Sequence, residues 1–377
     1  MNFLYSFLVF LGLSTSYITY AASEISLRDK IGQMLIIGFD GKNVNAQSPI
    51  VKSIEKNNIG GVILFDYDSR TETYNKNIES PEQVKQLNSD LQSVNQQANA
   101  KYHRPPMPLL ISVDYEGGQV NRLQEKYGFP KVDSAADIGK GSFADAKLTA
   151  ELMAKTLVKS GFNLNFAPVL DVNVNPDNPV IGKIDRSFSS DSNLVSRYGA
   201  IYSHYFLKHK VQCAYKHFPG HGSSTNDSHL GFVDVTDTWK SYELDPFRQL
   251  LSAAHACGVV MTAHIVNRQL DKSGLPATLS HKILTELLRN QLNFKGVIIT
   301  DDMQMKAISD NYGLEQALVL TINAGADMLI FGNNLSLEPQ NTEEVINLIK
   351  ANVLSGVISS ERIDDAYAHI MALKKSF

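Results

Sequence analysis

The 377-residue chain is poor in cysteine and tryptophan, with two of the first and one of the second. Two cysteines are too few for a disulfide-built scaffold. Cys213 and Cys257 both sit in apolar, strand-like runs, where a buried free thiol is the expected state. Pairing them is open but not implied. The chain also lacks any long basic run, and 35 Lys and Arg against 39 Asp and Glu leave a net charge of −4. Nucleic acid is therefore not an expected partner, because phosphate binding needs a concentrated positive footprint. With 43% hydrophobic and 20% charged residues, the composition excludes disorder, collagen and a polytopic membrane protein.

Charge is absent from one place in particular: the first 22 residues contain no Asp, Glu, Lys or Arg. Residues 3–13 form an apolar run that fades into Ser14-Thr15-Ser16 and ends at Thr19-Tyr20-Ala21-Ala22. This reads as a secretory signal peptide over residues 1–21, cut after Ala21, which leaves a mature chain of 22–377. The expected location is periplasmic or secreted. The run is shorter than the roughly 20 residues a membrane span needs, and no later segment qualifies, so no span is expected after leader cleavage. The leader has no Lys or Arg of its own, which keeps an uncleaved anchor open.

Short apolar runs rich in Val, Ile and Leu recur along the remainder, at 34–39, 61–65, 108–113, 163–170, 211–216, 258–263, 296–300 and 327–331. Segments of helical period lie between them, at 81–100, 145–160, 192–209, 243–256, 281–291 and 314–324. Strands apolar along their whole length suit a parallel sheet buried on both faces. Eight strand-helix units predict a single (β/α)8 barrel of the α/β class. An open doubly wound sheet is the rival, but the first strand runs into Gly38-Phe39-Asp40-Gly41 and not the Gly-rich nucleotide turn. Residues 66–80 read as a long polar loop over one barrel face. Residues 355–377 read as a closing C-terminal helix carrying Ile363, Ala366, Ile370 and Leu373 at helical spacing.

Barrel enzymes carry their chemistry at the C-terminal ends of the strands. Here those ends bear Asp114-Tyr115-Glu116, Asp171, Asp185-Arg186, Lys216-His217, Asp227-Ser228-His229, His264 and Asp301-Asp302. A desolvated carboxylate such as Asp301 suits a nucleophile, although either Asp301 or Asp302 could instead cap the following turn. The Asp227-x-His229 spacing lets a carboxylate orient an imidazole and raise its basicity, making a proton donor and acceptor. Lys216, His217 and Arg186 could hold hydroxyl-rich or anionic groups, or form an internal ion-pair network with Asp114 and Asp171. Pro219-Gly220-His221-Gly222 reads as a shaped loop.

The blocks KHFPGHGSSTNDSH (216–229), VDYEGG (113–118), NFAPVLDV (165–172) and VIITDDM (297–303) resemble those of family-3 glycoside hydrolases of the β-N-acetylglucosaminidase type. The likeness extends over 25–377. It implies Asp301 as nucleophile, His229 as acid/base and Asp227 as its partner. Asp114, Arg122, Arg186, Lys216 and His217 would hold the sugar hydroxyls, and His221 would brace the loop. It also implies a retaining hydrolase without metal or cofactor, acting on β-linked N-acetylglucosamine of peptidoglycan or chitin-like fragments. Many larger members carry the acid/base in a second domain after the barrel. This chain ends at Phe377, and the expectation is that the loop dyad serves. Two features depart from the common bacterial pattern: the leader-like segment and the length of loop 66–80. A metal-dependent barrel hydrolase using His217, His221, His229 and His264 stays a rival, as do a non-catalytic sugar-binding protein, a phosphorylase and a β-glucoside specificity.

Overall fold

The computed structural model describes residues 25–74, 76–336 and 338–377, so the proposed leader lies outside the described residues. Eight parallel strands close into a barrel in sequence order. They are β1 (Leu35–Gly38), β2 (Gly61–Leu64), β3 (Leu110–Val113), β4 (Leu164–Asn165), β5 (Gln212–Phe218), β6 (Val259–Thr262), β7 (Val297–Asp302) and β8 (Met328–Phe331). Closure comes from β1 against β8, with Leu35 opposite Leu329. The expected α/β barrel is the fold.

The strands are apolar because both faces are covered: Leu35, Ile36, Val62, Ile111, Val260 and Ile298 are all fully buried. Burying each such side chain contributes roughly 1.5–3 kcal/mol, the main force holding the ring to its helical coat. The coat includes α1 (Leu27–Gln33), α2 (Pro49–Asn57), α3 (Pro81–Lys101), α4 (Phe143–Lys159), α5 (Ser192–Lys208), α6 (Asp245–Leu250), α7 (Leu314–Ala324), α8 (Thr342–Leu354) and α9 (Ser360–Lys374). Side-chain caps start many of them. Ser80, Ser142, Asn341 and Ser359 each accept a backbone N–H of the first turn, which is worth about 1 kcal/mol per cap.

Several boundaries differ from the sequence reading. Strand four was expected over 163–170, but regular pairing stops at Asn165, because Pro168 has no N–H to donate; a single bridge, Val169 to Lys216, resumes it. Strand five continues two residues further, so His217 and Phe218 join Lys216 inside it. Strand seven runs to Asp302, which places Asp301 within the strand end and not after it. The helix expected over 243–256 is only α6, preceded by a 3-10 turn over Ser241–Leu244. Residues 252–255 are exposed and give a longer helix nothing to bury. The closing helix starts later than expected, at Ser360, with Ile363, Ala366, Ile370 and Leu373 buried as its spacing requires. Loop 66–80 contains a small hairpin, Tyr67–Asp68 against Thr73–Tyr74.

The expectation of free thiols is overturned: Cys213 and Cys257 form a disulfide. They are 44 residues apart in sequence, but β5 and β6 are neighbours in the ring, which brings their Cα atoms to 4.9 Å. That separation is the spacing of adjacent strands. The bond closes a covalent loop that contains Lys216, His217, Asp227 and His229. A Cys213→Ala/Cys257→Ala double variant is expected to lose about 2–4 kcal/mol of stability, read as a lower urea midpoint; an unchanged midpoint would count against the bond.

Candidate active site

The C-terminal ends of the strands surround a cavity of about 310 Å³, at the lower end of the range for a small-ligand site. The eight residues to which the resemblance assigns catalysis or sugar binding all line it: Asp114, Arg122, Arg186, Lys216, His217, Asp227, His229 and Asp301. They reach it from β3, the long connections after β3 and β4, β5 with its following loop, and β7. Only a closed ring brings these segments together.

One wall is a buried ion network. Glu116 sits in a small hairpin after β3 and takes a two-point fork from Arg186, Nε at 2.8 Å and Nη2 at 2.7 Å. Lys216 lies 2.6 Å from the same carboxylate and donates to Asp114 Oδ1 at 2.8 Å. Burial alone would push the Glu116 carboxyl up, but the Arg186 and Lys216 charges outweigh it and hold it at about 2. Lys216 is likewise raised, since Asp114 and Glu116 overcome the cost of burying its ammonium. His217 donates Nδ1–H to Asp171 at 2.6 Å and lies 3.3 Å from Arg186 Nη2 through Nε2. Asp171 also accepts the His221 N–H at 2.7 Å. Arg122 is held more loosely, 3.7 Å from Asp66 and above the Phe65 ring.

The internal ion-pair network with Asp114 and Asp171 forms, and Glu116 joins it. Each cation is fixed by a carboxylate while its side chain still borders the cavity. Glu116 was noted only as part of a polar strand end, yet it joins Arg186 to Lys216. The available signal was a surplus of cations at the strand ends that needed an acidic partner. Ser69, from the hairpin after β2, and Asn334 and Leu335 after β8 line the cavity without any sequence cue.

Asp301 and Asp302 differ in environment. Burial raises both, but the imidazoles of His217, His264 and His229 hold Asp301 at about 2. Asp302 is left at about 6, with burial dominant and the Asp301 charge adding to it. Among the described residues the Asp301 carboxylate accepts one hydrogen bond, from the Asp302 N–H at 2.8 Å. Asp302 accepts the N–H groups of Gln304 and Gly332. The capping role weighed for both acids thus belongs to Asp302, and Asp301 keeps an oxygen free. Neighbouring carboxyls driven apart in this way take different tasks.

His229 and Asp227 lie on the loop after β5. Asp227 accepts both the His229 N–H and its Nδ1–H, each at 2.8 Å, which fixes the tautomer and leaves Nε2 as the reactive nitrogen. Burial works against charging His229, but the Asp227 hydrogen bond and the negative charges of Asp301 and Asp227 raise its pKa above the ordinary value. The loop rests on the connection after β7, where the Ala307 N–H donates to Ser228 O, and His221 Nε2 lies 3.3 Å from the Ser228 hydroxyl.

The histidines of the metal-dependent alternative are engaged otherwise. His264 lies 2.8 Å from the Thr278 hydroxyl and donates Nε2–H to Asp302 O. Among the described residues, no group of three or more His, Cys, Asp or Glu side chains is arranged to hold a metal ion. Among the described residues, no helix is long and apolar enough to cross a membrane.

A family model described as glycosyl hydrolase family 3 N terminal domain matches residues 26–373. The chain belongs to glycosyl hydrolase family 3. Beta-hexosaminidase A of Pseudoalteromonas piscicida is 30% identical to it over 394 residues, 96% of this chain and 63% of that protein. A beta-hexosaminidase of Tolumonas auensis is 34% identical over 284 residues, 73% of this chain and 76% of that one. Among solved structures, a family 3 beta-N-acetylglucosaminidase from a Paenibacillus species superposes with a TM-score of 0.83 at 35% identity, over 94% of this chain and 63% of that one. A beta-N-acetylhexosaminidase from Beutenbergia cavernae gives 0.82 at 26% identity, over 93% and 99%. The chain therefore spans just under two thirds of the longer relatives and nearly the whole of the shorter one.

The raised His229 predicts a pH dependence. For a reaction in which His229 donates the proton, the donor is lost as pH rises through its pKa, so kcat/KM should fall on the basic side above the usual histidine range. Asp227→Asn removes the charge that raises His229. That limb should then move to lower pH, with kcat reduced about tenfold to a hundredfold; an unmoved limb in a pH-rate profile would detach Asp227 from the proton transfer.

Proposed function

We propose that this chain is a retaining exo-β-N-acetylglucosaminidase that removes non-reducing terminal β-linked N-acetylhexosamine through a covalent glycosyl-Asp301 intermediate. The observation that carries this reading is the pairing, in one cavity, of an ionised carboxylate with a free oxygen and a carboxylate-braced imidazole. Relatives named beta-hexosaminidase and beta-N-acetylglucosaminidase support the substrate class.

The chemistry follows from these groups. His229, protonated at Nε2, gives its proton to the glycosidic oxygen as the bond to C1 breaks, and an Asp301 oxygen attacks C1 from the opposite face. The leaving group departs neutral and the imidazole is left as a base. It then takes a proton from water, whose oxygen attacks C1 and releases Asp301. Retaining enzymes ordinarily use a second carboxyl group about 5–5.5 Å from the nucleophile; here the imidazole takes that place. Asp114, Arg186, Lys216 and His217 hold the sugar hydroxyls, with Arg122 at the rim. Strong binding through these fixed cations orients C1 over Asp301.

The natural substrates in this reading are peptidoglycan or chitin-like fragments. The uncharged leader and the Cys213–Cys257 disulfide favour an exported, periplasmic or secreted enzyme, since disulfides persist in oxidising compartments.

Asp301→Asn should lower kcat by at least about a thousandfold while N-acetylglucosamine still binds. Digestion after reaction with a fluorinated N-acetylglucosaminide should return the label on the peptide carrying Asp301; a label on another residue would overturn the assignment. Chromogenic β-N-acetylglucosaminide and β-glucoside run side by side decide specificity, and a preference for the glucoside would replace the substrate. The same assay in phosphate buffer reads any sugar 1-phosphate, and its release would make phosphate the acceptor in place of water.

A further inference from the structure

A buried carboxylate that the chemistry above does not use lies behind the acid/base loop. Glu243 is fully buried in the short 3-10 turn before α6. One of its oxygens accepts the Lys240 N–H at 3.0 Å, an ordinary cap for the start of that turn. The other reaches out of the turn and accepts the Ser223 N–H at 3.2 Å. Trp239, four residues earlier, donates Nε1–H to Pro219 O at 3.2 Å. Between these grips Gly220 has φ +113°, and a Cβ there would come 2.8 Å from the Glu243 Cβ and 3.4 Å from Trp239 Nε1. Segment 219–223 is therefore pressed directly onto this pair.

The opposite side of the segment is held as firmly. The His221 N–H binds Asp171, the His221 carbonyl accepts from Asn178 and the Ser224 carbonyl from Asn175. Beyond Ser224 the grips thin out. The Ser224 hydroxyl accepts the Asn226 N–H, and Ser228 meets His221 and the Ala307 N–H. Gly231 has no atom within 4 Å of where its Cβ would lie, and Leu230 and Phe232 are exposed. The stretch carrying Asp227 and His229 is thus an open arm rising from a clamped base.

We propose that Glu243 is a positioning residue for the acid/base: with Trp239 it clamps Pro219 to Ser223 from behind and so sets the base from which the Asp227–His229 arm reaches the glycosidic oxygen. The inference rests on the reading of His229 as proton donor. Its chemistry argues for more than packing. Among the described residues Glu243 is partnered by amides and by no cation. A buried charge without a cation is costly, and burial pushes this carboxyl up to about 7 against the pull of its donors. Two N–H donors aimed at two oxygens favour the carboxylate form, whereas an amide would turn an NH2 toward one of them.

The test compares wild type, Glu243→Gln and Trp239→Phe on aryl β-N-acetylglucosaminides of graded leaving-group acidity. A displaced acid/base should matter most where the leaving group needs its proton. For Glu243→Gln, kcat/KM on the poorest leaving group is expected to fall about tenfold or more and on the best less than about threefold, with inhibition by N-acetylglucosamine unchanged. Azide, a nucleophile needing no base, should restore turnover of the best substrate. Equal losses across all leaving groups, weaker sugar binding, or no loss at all would overturn the proposal. If Glu243→Gln does not fold, Trp239→Phe keeps the carboxylate, removes one grip and must show the same slope; a flat slope overturns the proposal equally. Wild type failing on every substrate would instead defeat the functional reading, before any variant is compared.

Discussion

The site depends on the two-point fork between Arg186 and Glu116, shared with Lys216. Three charged side chains from three separate segments are buried together, and none of them tolerates burial alone. Their mutual attraction fixes a row of donors at the barrel mouth before any ligand arrives. A polar ligand would replace water at such a site with little reorganisation, which is the physical content of a preorganised pocket. The His217–Asp171 pair extends the row and links it to the loop through His221.

The other half of the site is built in the opposite way. Asp301 sits at the end of a core strand, held ionised by surrounding imidazoles, whereas His229 stands on a half-exposed arm with one bracing carboxylate. In the proposed mechanism a nucleophile gains from rigidity, since its attack is along one line, and a group that must first give and then take a proton gains from reach. The fixed strand end and the open arm suit the roles proposed for Asp301 and His229.

Much of this was legible in the sequence, and the reasons are specific. Most barrel strands are short, apolar and buried on both faces, so their period survives in one dimension. Chemical residue types at strand ends stand out because the strands themselves carry so few. Boundaries were less legible where pairing depends on a neighbour. Pro168 ends β4 early, β7 includes Asp301, and residues 252–255 abandon the helix that their composition favours. Ser69, Asn334 and Leu335 come from connections whose path no local pattern encodes.

The sequence by itself determined the eightfold alternation, the one reactive face and the chemical residue types at its strand ends, eight of which border the cavity, because periodicity and residue type are local properties. Only the closed ring decided which groups meet: Cys213 with Cys257, Glu116 with Arg186 and Lys216, Glu243 with the base of the loop that carries Asp227 and His229. Those contacts join segments tens of residues apart in sequence, and their energies exist only once strand neighbours are fixed by closure.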